Sequence, residues 1–245
     1  MSLQSSPAVA GCLLFLGLAA GGQLRAFDAN YGTVLGTFTP GDVGTLPLIP
    51  GDDLGPGQTR SSPAVPADYD RVYYGVGTRV YGVRRDLASG WTFSTGSNIS
   101  IWSSPAVDCE NDEVWIGSDR LYKLRARTGA LLGALNLGPG GIRIQHSSPC
   151  LAGRQVVVGT GDILQRETAQ DRILSFDRCS LSLQWYYDLP STHMVFATPV
   201  HDPVRNQILV GSFSKAIEAL GVLYCFDSTK TGSAAPVWFC LLYTS

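Results

Sequence analysis

The sequence predicts an all-β chain of repeated four-stranded antiparallel blades, a β-propeller, and three observations predict it. The word "SSPAV" stands at Ser5, Ser61 and Ser103, followed by the variants "SSPC" at Ser147 and "ATPV" at Ala197, so successive copies start 42 to 56 residues apart. Such a period belongs to propeller blades or to paired helical repeats. The runs between copies decide for blades, because they are short, rich in Val, Ile, Leu and Tyr, and bounded by turn residues. The composition agrees: 28 Gly and 14 Pro against only 16% charged residues, with no long helical period.

Each copy repeats its elements in order. The opening word is the innermost strand, where a proline fits at the first residue or on an edge because it donates nothing to a ladder. The serines before it satisfy backbone groups at the turn. A second strand follows in "CLLFLG", "RVYYGVG", "EVWIGS", "QVVVGTG" and "QILVGS". These runs are apolar almost throughout, which requires a sheet covered on both faces, as stacked blades provide. The third strand is "GQLRAFDANYG", "RVYGVRRDLASG", "RLYKLRARTG", "RILSFDRCS" and "VLYCFDSTKTG", and a turn leads to an outer fourth strand. The units divide a single domain, 1–245, into blades at about 5–60, 61–102, 103–146, 147–196 and 197–245.

Composition excludes several classes of function. A net charge of −2, spread without blocks, gives no reason to expect nucleic acid or an anionic membrane as partner. The run "AGCLLFLGLAAGG", Ala10 to Gly22, is too short to span a bilayer, follows no basic residue, and is assigned to a strand of the repeat. The six cysteines contain no CxxC pair, so neither a zinc ribbon nor a dense disulfide scaffold is indicated. Cys12, Cys150 and Cys225 fall in apolar strand patterns and are expected to be small buried hydrophobes. His146, His193 and His201 lack metal-ligand spacing, and no metal is expected. The serines of the repeat have no nucleophile context, and Asn98-Ile99-Ser100 is a glycosylation sequon.

"SSPAVDCENDEVWIGSDRLYKLRARTG", with the joint "SGWTFSTGSNISIWSSPAV", resembles the PQQ-like repeat, the blade unit of propellers related to quinoprotein dehydrogenases. The resemblance covers nearly the whole chain. It implies that Trp91, Trp185 and Trp238 are the docking tryptophans of the outer strands. Gly36 and Gly133 hold that place in the first and third blades, whose contacts should be built differently. Family propellers close with about seven or eight blades, so the five units imply an incomplete ring, a fragment whose missing blades lie elsewhere in a parent chain. "MSLQSSPAV" begins inside the repeat, and "FCLLYTS" fits it poorly, so that Cys240 to Ser245 read as foreign sequence.

Function is expected on one face. The long excursions, Thr39 to Arg60, Gly159 to Asp171 and Gly211 to Gly221, use connection types that emerge on the same side of an antiparallel blade. The residues just before each opening word, Gln4, Arg60, Trp102, His146 and Phe196, belong to the same rim. A ligand there would meet Arg60, Trp102, His146 and Phe196, and the acids Glu167 and Asp171 lie on that side. The family resemblance is compatible with three roles. The first is a noncatalytic scaffold that needs no cofactor and binds a protein or small ligand at the long-loop face. The second is a fragment of an alcohol or sugar dehydrogenase using PQQ and calcium. The third is a recognition propeller fused to an acyl- or aminoacyl-activating enzyme. The adjacent cysteines that cover the quinone in catalytic members are missing here, which favours the scaffold over an enzyme.

Overall fold

The computed structural model describes residues 5–18, 20–41, 59–138, 142–161, 170–214 and 220–243. Among them the strands form five sheets, and the only helical element is a 3₁₀ turn at Ala20–Gly22. Blade one is β1 (Ala8–Ala10), β2 (Leu13–Gly17), β3 (Leu24–Asp28) and β4 (Val34–Phe38), adjacent in that order. Blade two is β5 (Arg71–Val76), β6 (Arg79–Arg84) and β7 (Gly90–Ser94). Blade three is β8 (Ala106–Asp108), β9 (Glu113–Gly117), β10 (Leu121–Arg125) and β11 (Leu131–Leu135). Blade four is β12 (Cys150–Ala152), β13 (Gln155–Gly159), β14 (Arg172–Asp177) and β15 (Leu183–Asp188). Blade five holds β16 (His193–Met194), β17 (Val200–Asp202), β18 (Gln207–Ser214), β19 (Leu220–Asp227) and β21 (Trp238–Tyr243), and β20 (Gly232–Ser233) lies between β19 and β21 in sequence.

The chain divides into two compact units, Met1–Ser118 with Tyr122–Ala134, and Asp119–Leu121 with Leu135–Ser245. In the first unit, Phe15, Leu24, Tyr74, Tyr81 and Val83 form one core between blades one and two. Tyr73, Val80, Ile101, Val114, Ile116, Tyr122 and Leu124 form a second between blades two and three. In the second unit, Val157, Ile173, Trp185, Ile208, Val210, Tyr224 and Phe226 fill the space between blades four and five. Burial of β9 at every residue, and of β5 and β13 after the first, follows from this face-to-face packing, as the apolar runs predict.

Three departures from the four-strand pattern have local causes. In blade two the opening word contributes only an isolated bridge, Ala64 to Tyr73. Those two residues exchange both backbone hydrogen bonds, so the next bonded pair would need the amide of Pro66, which has no hydrogen to give. Arg85 takes the Pro66 carbonyl instead. In blade four β20 adds to β15 in parallel, pairing Trp185 with Gly232 and Tyr186 with Ser233, and covers the outer edge of that sheet. In blade five β18 and β19 are eight residues each, so the described ends of Gly211 to Gly221, expected to be a loop, are a ladder: Gly211 pairs Leu223, Ser212 pairs Val222 and Phe213 pairs Gly221. Buried and half-buried residues alternate along "QILVGSFS", as the two unequally covered faces of a strand require, although residue type does not alternate there.

Two further expectations meet the structure differently. Cys225 is buried, but Cys150 is only half-buried and Cys12 is exposed, because Cys12 lies in the turn between β1 and β2 rather than in a strand. The terminal segment continues the sheet, with β21 paired to β19 from Trp238 opposite Cys225 to Tyr243 opposite Leu220.

Candidate functional site

The serines of the opening word hold the rim in place through bonds distant in sequence, and Ser103 also donates locally to the Ser104 carbonyl at 3.4 Å. Ser61 Oγ accepts the Gly75 amide at 2.9 Å, Ser103 Oγ the Gly117 amide at 3.1 Å and Ser147 Oγ the Gly159 amide at 3.1 Å. Each ties the start of a blade to a glycine at or next to the end of the following strand. The second serine reaches the neighbouring blade: the Ser6 amide donates to Ser62 Oγ at 2.8 Å, and the Ser62 amide donates to Ser104 Oγ at 2.9 Å.

The glycines are required by what lies against them. A Cβ on Gly75 would sit 2.4 Å from Ile101 Cγ2, and one on Gly159 would sit 2.1 Å from Val195 Cγ1. Ile101 and Val195 each stand two residues before an opening word, so a bare backbone lets the next blade approach closely. Thr59, at the same place, donates from its hydroxyl to the Gly75 carbonyl at 2.6 Å.

The rim residues next to these anchors are paired. In the first unit the Arg60 guanidinium carbon lies 3.7 Å from the centre of the Trp102 ring, and Trp102 is only 9% exposed. In the second unit the rings of His146 and Phe196 are 4.1 Å apart, and Phe196 stacks on Phe213 at 5.7 Å and 15°. In both units the residue before one opening word packs on its counterpart in the next blade. The sequence reading missed Phe213, because it placed that residue in a loop. Residue type does not alternate along β18, so the sequence carried no signal for it.

Beside this cluster, His193 Nδ1 and Ser212 Oγ are 3.0 Å apart, and burial depresses the imidazole from its ordinary value of 6.5. Asp171 is 1% exposed and accepts from the Thr160 hydroxyl at 3.3 Å, while its carbonyl accepts the Leu189 amide. It is a buried carboxyl bound into the start of β14. Gln4 and Glu167 lie outside the described residues. Among the described residues no three His, Cys, Asp or Glu side chains gather where a metal ion could sit.

The tryptophans of the outer strands make different contacts. Trp91 Nε1 donates to the Ala126 carbonyl at 2.8 Å in blade three, with its ring over Gly129, whose φ is +74°. Trp185 is fully buried, stacks on Phe226 of blade five at 5.4 Å, and donates to Gln155 Oε1 at 3.3 Å. Gln155 Nε2 in turn donates to the Ser228 carbonyl at 2.7 Å, so the amide relays a bond that Trp91 makes directly. Trp238 is 40% exposed. Where Gly36 replaces a tryptophan, Leu87 Cδ1 of blade two comes within 3.0 Å of the Cβ position. Blade three has Gly133 at that place, and there the buried Trp115 donates to Glu113 Oε2 at 2.9 Å while Lys123 pairs with Glu113 Oε1 at 2.7 Å.

No family model matches the chain, and no curated protein matches it. Solved structures do. BamB from Moraxella catarrhalis is 13% identical over 96% of this chain and 77% of its own, with a TM-score of 0.61. A europium-containing methanol dehydrogenase is 13% identical over 94% of this chain and 50% of its own, at 0.63. A chain of a mitotic checkpoint complex is 12% identical over 96% and 63%, at 0.65. In fold the chain is a β-propeller, and it spans half the length of the dehydrogenase it matches.

Proposed function

We propose that this propeller is a noncatalytic scaffold that recognises a protein or small ligand through the side carrying its long loops. The observation that carries this reading is the repeated pairing of rim side chains, Arg60 with Trp102 and His146 with Phe196, each fixed by packing next to an anchored opening word. Side chains held in place this way lose little freedom when a partner binds. The fold agrees, because BamB and a chain of a mitotic checkpoint complex share it, and the second is by description part of an assembly.

The likeness to methanol dehydrogenase makes an oxidoreductase the reading to test against. A quinone with calcium would need oxygen ligands gathered round the cation and a carboxylate base facing the substrate. Of the two acids expected on that side, Asp171 is buried against Thr160, which supports the scaffold reading. Titrating the full chain with PQQ and calcium, followed by quinone absorbance and dye-linked oxidation of alcohols and sugars, separates the readings. The scaffold predicts no saturable uptake and no dye reduction; turnover of any of these substrates would overturn it.

A further inference from the structure

We infer that the chain self-associates by docking blade five of one copy on blade one of another, with Trp238 of the first copy entering a receptor at Ala29 and Gly32 of the second. The inference does not depend on the scaffold reading.

The seam between blades two and three shows what such a receptor is made of. Trp91 donates from Nε1 to the Ala126 carbonyl at 2.8 Å and lies against Gly129, where a Cβ would come 2.5 Å from Trp91 Cε3. The turn that receives the indole therefore needs a glycine. Three backbone bonds shape that turn: the Arg125 amide donates to the Ala130 carbonyl, Ala126 to Asp112, and Gly129 to Arg125. Blade one repeats all three, with the Asp28 amide on Thr33, Ala29 on Cys12, and Gly32 on Asp28. The left-handed glycine is repeated as well, at φ +69° for Gly32 against +74° for Gly129. What differs is the cover. Nothing lies within 4 Å of the place of a Gly32 Cβ, and Ala29 is exposed.

Blade five carries the matching tryptophan. Trp238 stands opposite Cys225 as Trp91 stands opposite Gly82, yet it is 40% exposed where Trp185 is fully buried. The sheet around each half is apolar. On blade five, Val200, Leu209, Cys225 and Trp238 form one row across the strands, on the side away from the core residues Ile208 and Val210. On blade one, Val9, Leu14, Phe27 and Val34 form a row on the side away from the core residues Phe15 and Ala26, with Val9 and Val34 exposed. Neither row contains a charged side chain, so pressing one on the other buries apolar surface and strands no ion. A second copy is the occupant because this one chain carries both halves, an indole left exposed and a receptor left open. The two surfaces are different, so the contact is heterologous.

The test follows mass against concentration by analytical ultracentrifugation of the full chain, under reducing conditions because Cys240 is exposed. Reversible association is expected, with half-saturation at about 10–100 µM. Two variants each spoil one half: Trp238→Ala removes the indole, and Val34→Glu puts a charge into the apolar row of blade one. Each alone should associate roughly tenfold or more weakly. Val9→Glu should act as Val34→Glu does, and Trp238→Phe, which keeps a ring without the N–H, should weaken association less than Trp238→Ala. Mixed in equal amounts, Trp238→Ala and Val34→Glu should recover a dimer and nothing larger, since the first keeps its blade one and the second its blade five. That recovery also shows that both variants are folded. A chain that stays monomeric up to about 300 µM, association undiminished by Trp238→Ala or by both Glu variants, or a mixture that remains monomeric would each overturn the inference. Quinone-dependent turnover would overturn the scaffold reading and leave this assembly standing.

Discussion

Tryptophans on the outer strands stand opposite small residues: Trp91 faces Gly82, Trp185 faces Ser175 and Trp238 faces Cys225. The reason is spatial, since a Cβ on Gly82 would lie 2.3 Å from Trp91 Cε2. Gly82→Ala is therefore expected to push Trp91 off the Ala126 carbonyl and to cost about 1–3 kcal/mol in urea unfolding. In blade three the repeat puts Lys123 at the small position and Gly133 at the tryptophan position, and Lys123 pairs with the buried Glu113. Lys123→Met should cost about 3–5 kcal/mol by leaving Glu113 buried and unpaired, and adding Glu113→Gln should recover most of it. Gln155→Leu removes the relay between Trp185 and Ser228 and is expected to cost about 1–3 kcal/mol. The tryptophans were legible in the sequence because the repeat puts them in register. Gln155 was not, because its role depends on two partners 30 and 73 residues away.

At the level of elements, the strands were legible wherever apolar runs met turn residues, and the exceptions trace to single residues. Pro66 shortens the opening strand of blade two, where Asp108 at the matching place in blade three pairs with Glu113. Pro66→Asp supplies the missing amide, so hydrogen exchange at residue 66 should become protected while Ala64 stays as it was. If residue 66 exchanges at the rate of an open loop, the proline is not the cause. Ser61→Ala leaves the buried Gly75 amide without its acceptor and should lower stability by about 1–3 kcal/mol. The pairing of β20 with β15 has no sequence signal of its own. Gly232 and Ser233 are a turn pair by composition, and only the approach of blade five to blade four makes them a strand.

For the whole molecule, each unit buries its cores between neighbouring blades, and its response to pH follows from titratable groups bonded within the blades. His193 is kept neutral by burial, so an unfolded chain takes up its proton near 6.5 while the folded one resists it. Its contribution is complete above that value and is lost as pH falls below it. Urea midpoints should therefore drop between about pH 7.5 and 5.5, and His193→Gln should remove that part of the difference. The Asp177 carboxyl, held low first by the Ser180 amide, adds a loss that begins as pH falls through the usual carboxylate range and is complete only below it. The sequence alone determined the repeat, the strand character of its runs and the fold class, because periodicity and side-chain type are local and a blade needs both. Only the tertiary structure decided that the serines bridge blades, that Arg60 meets Trp102, that Phe213 joins His146 and Phe196, and that Asp171 is buried. Those contacts form where one blade lies against the next, between residues whose separation along the chain carries no signal of their nearness in space.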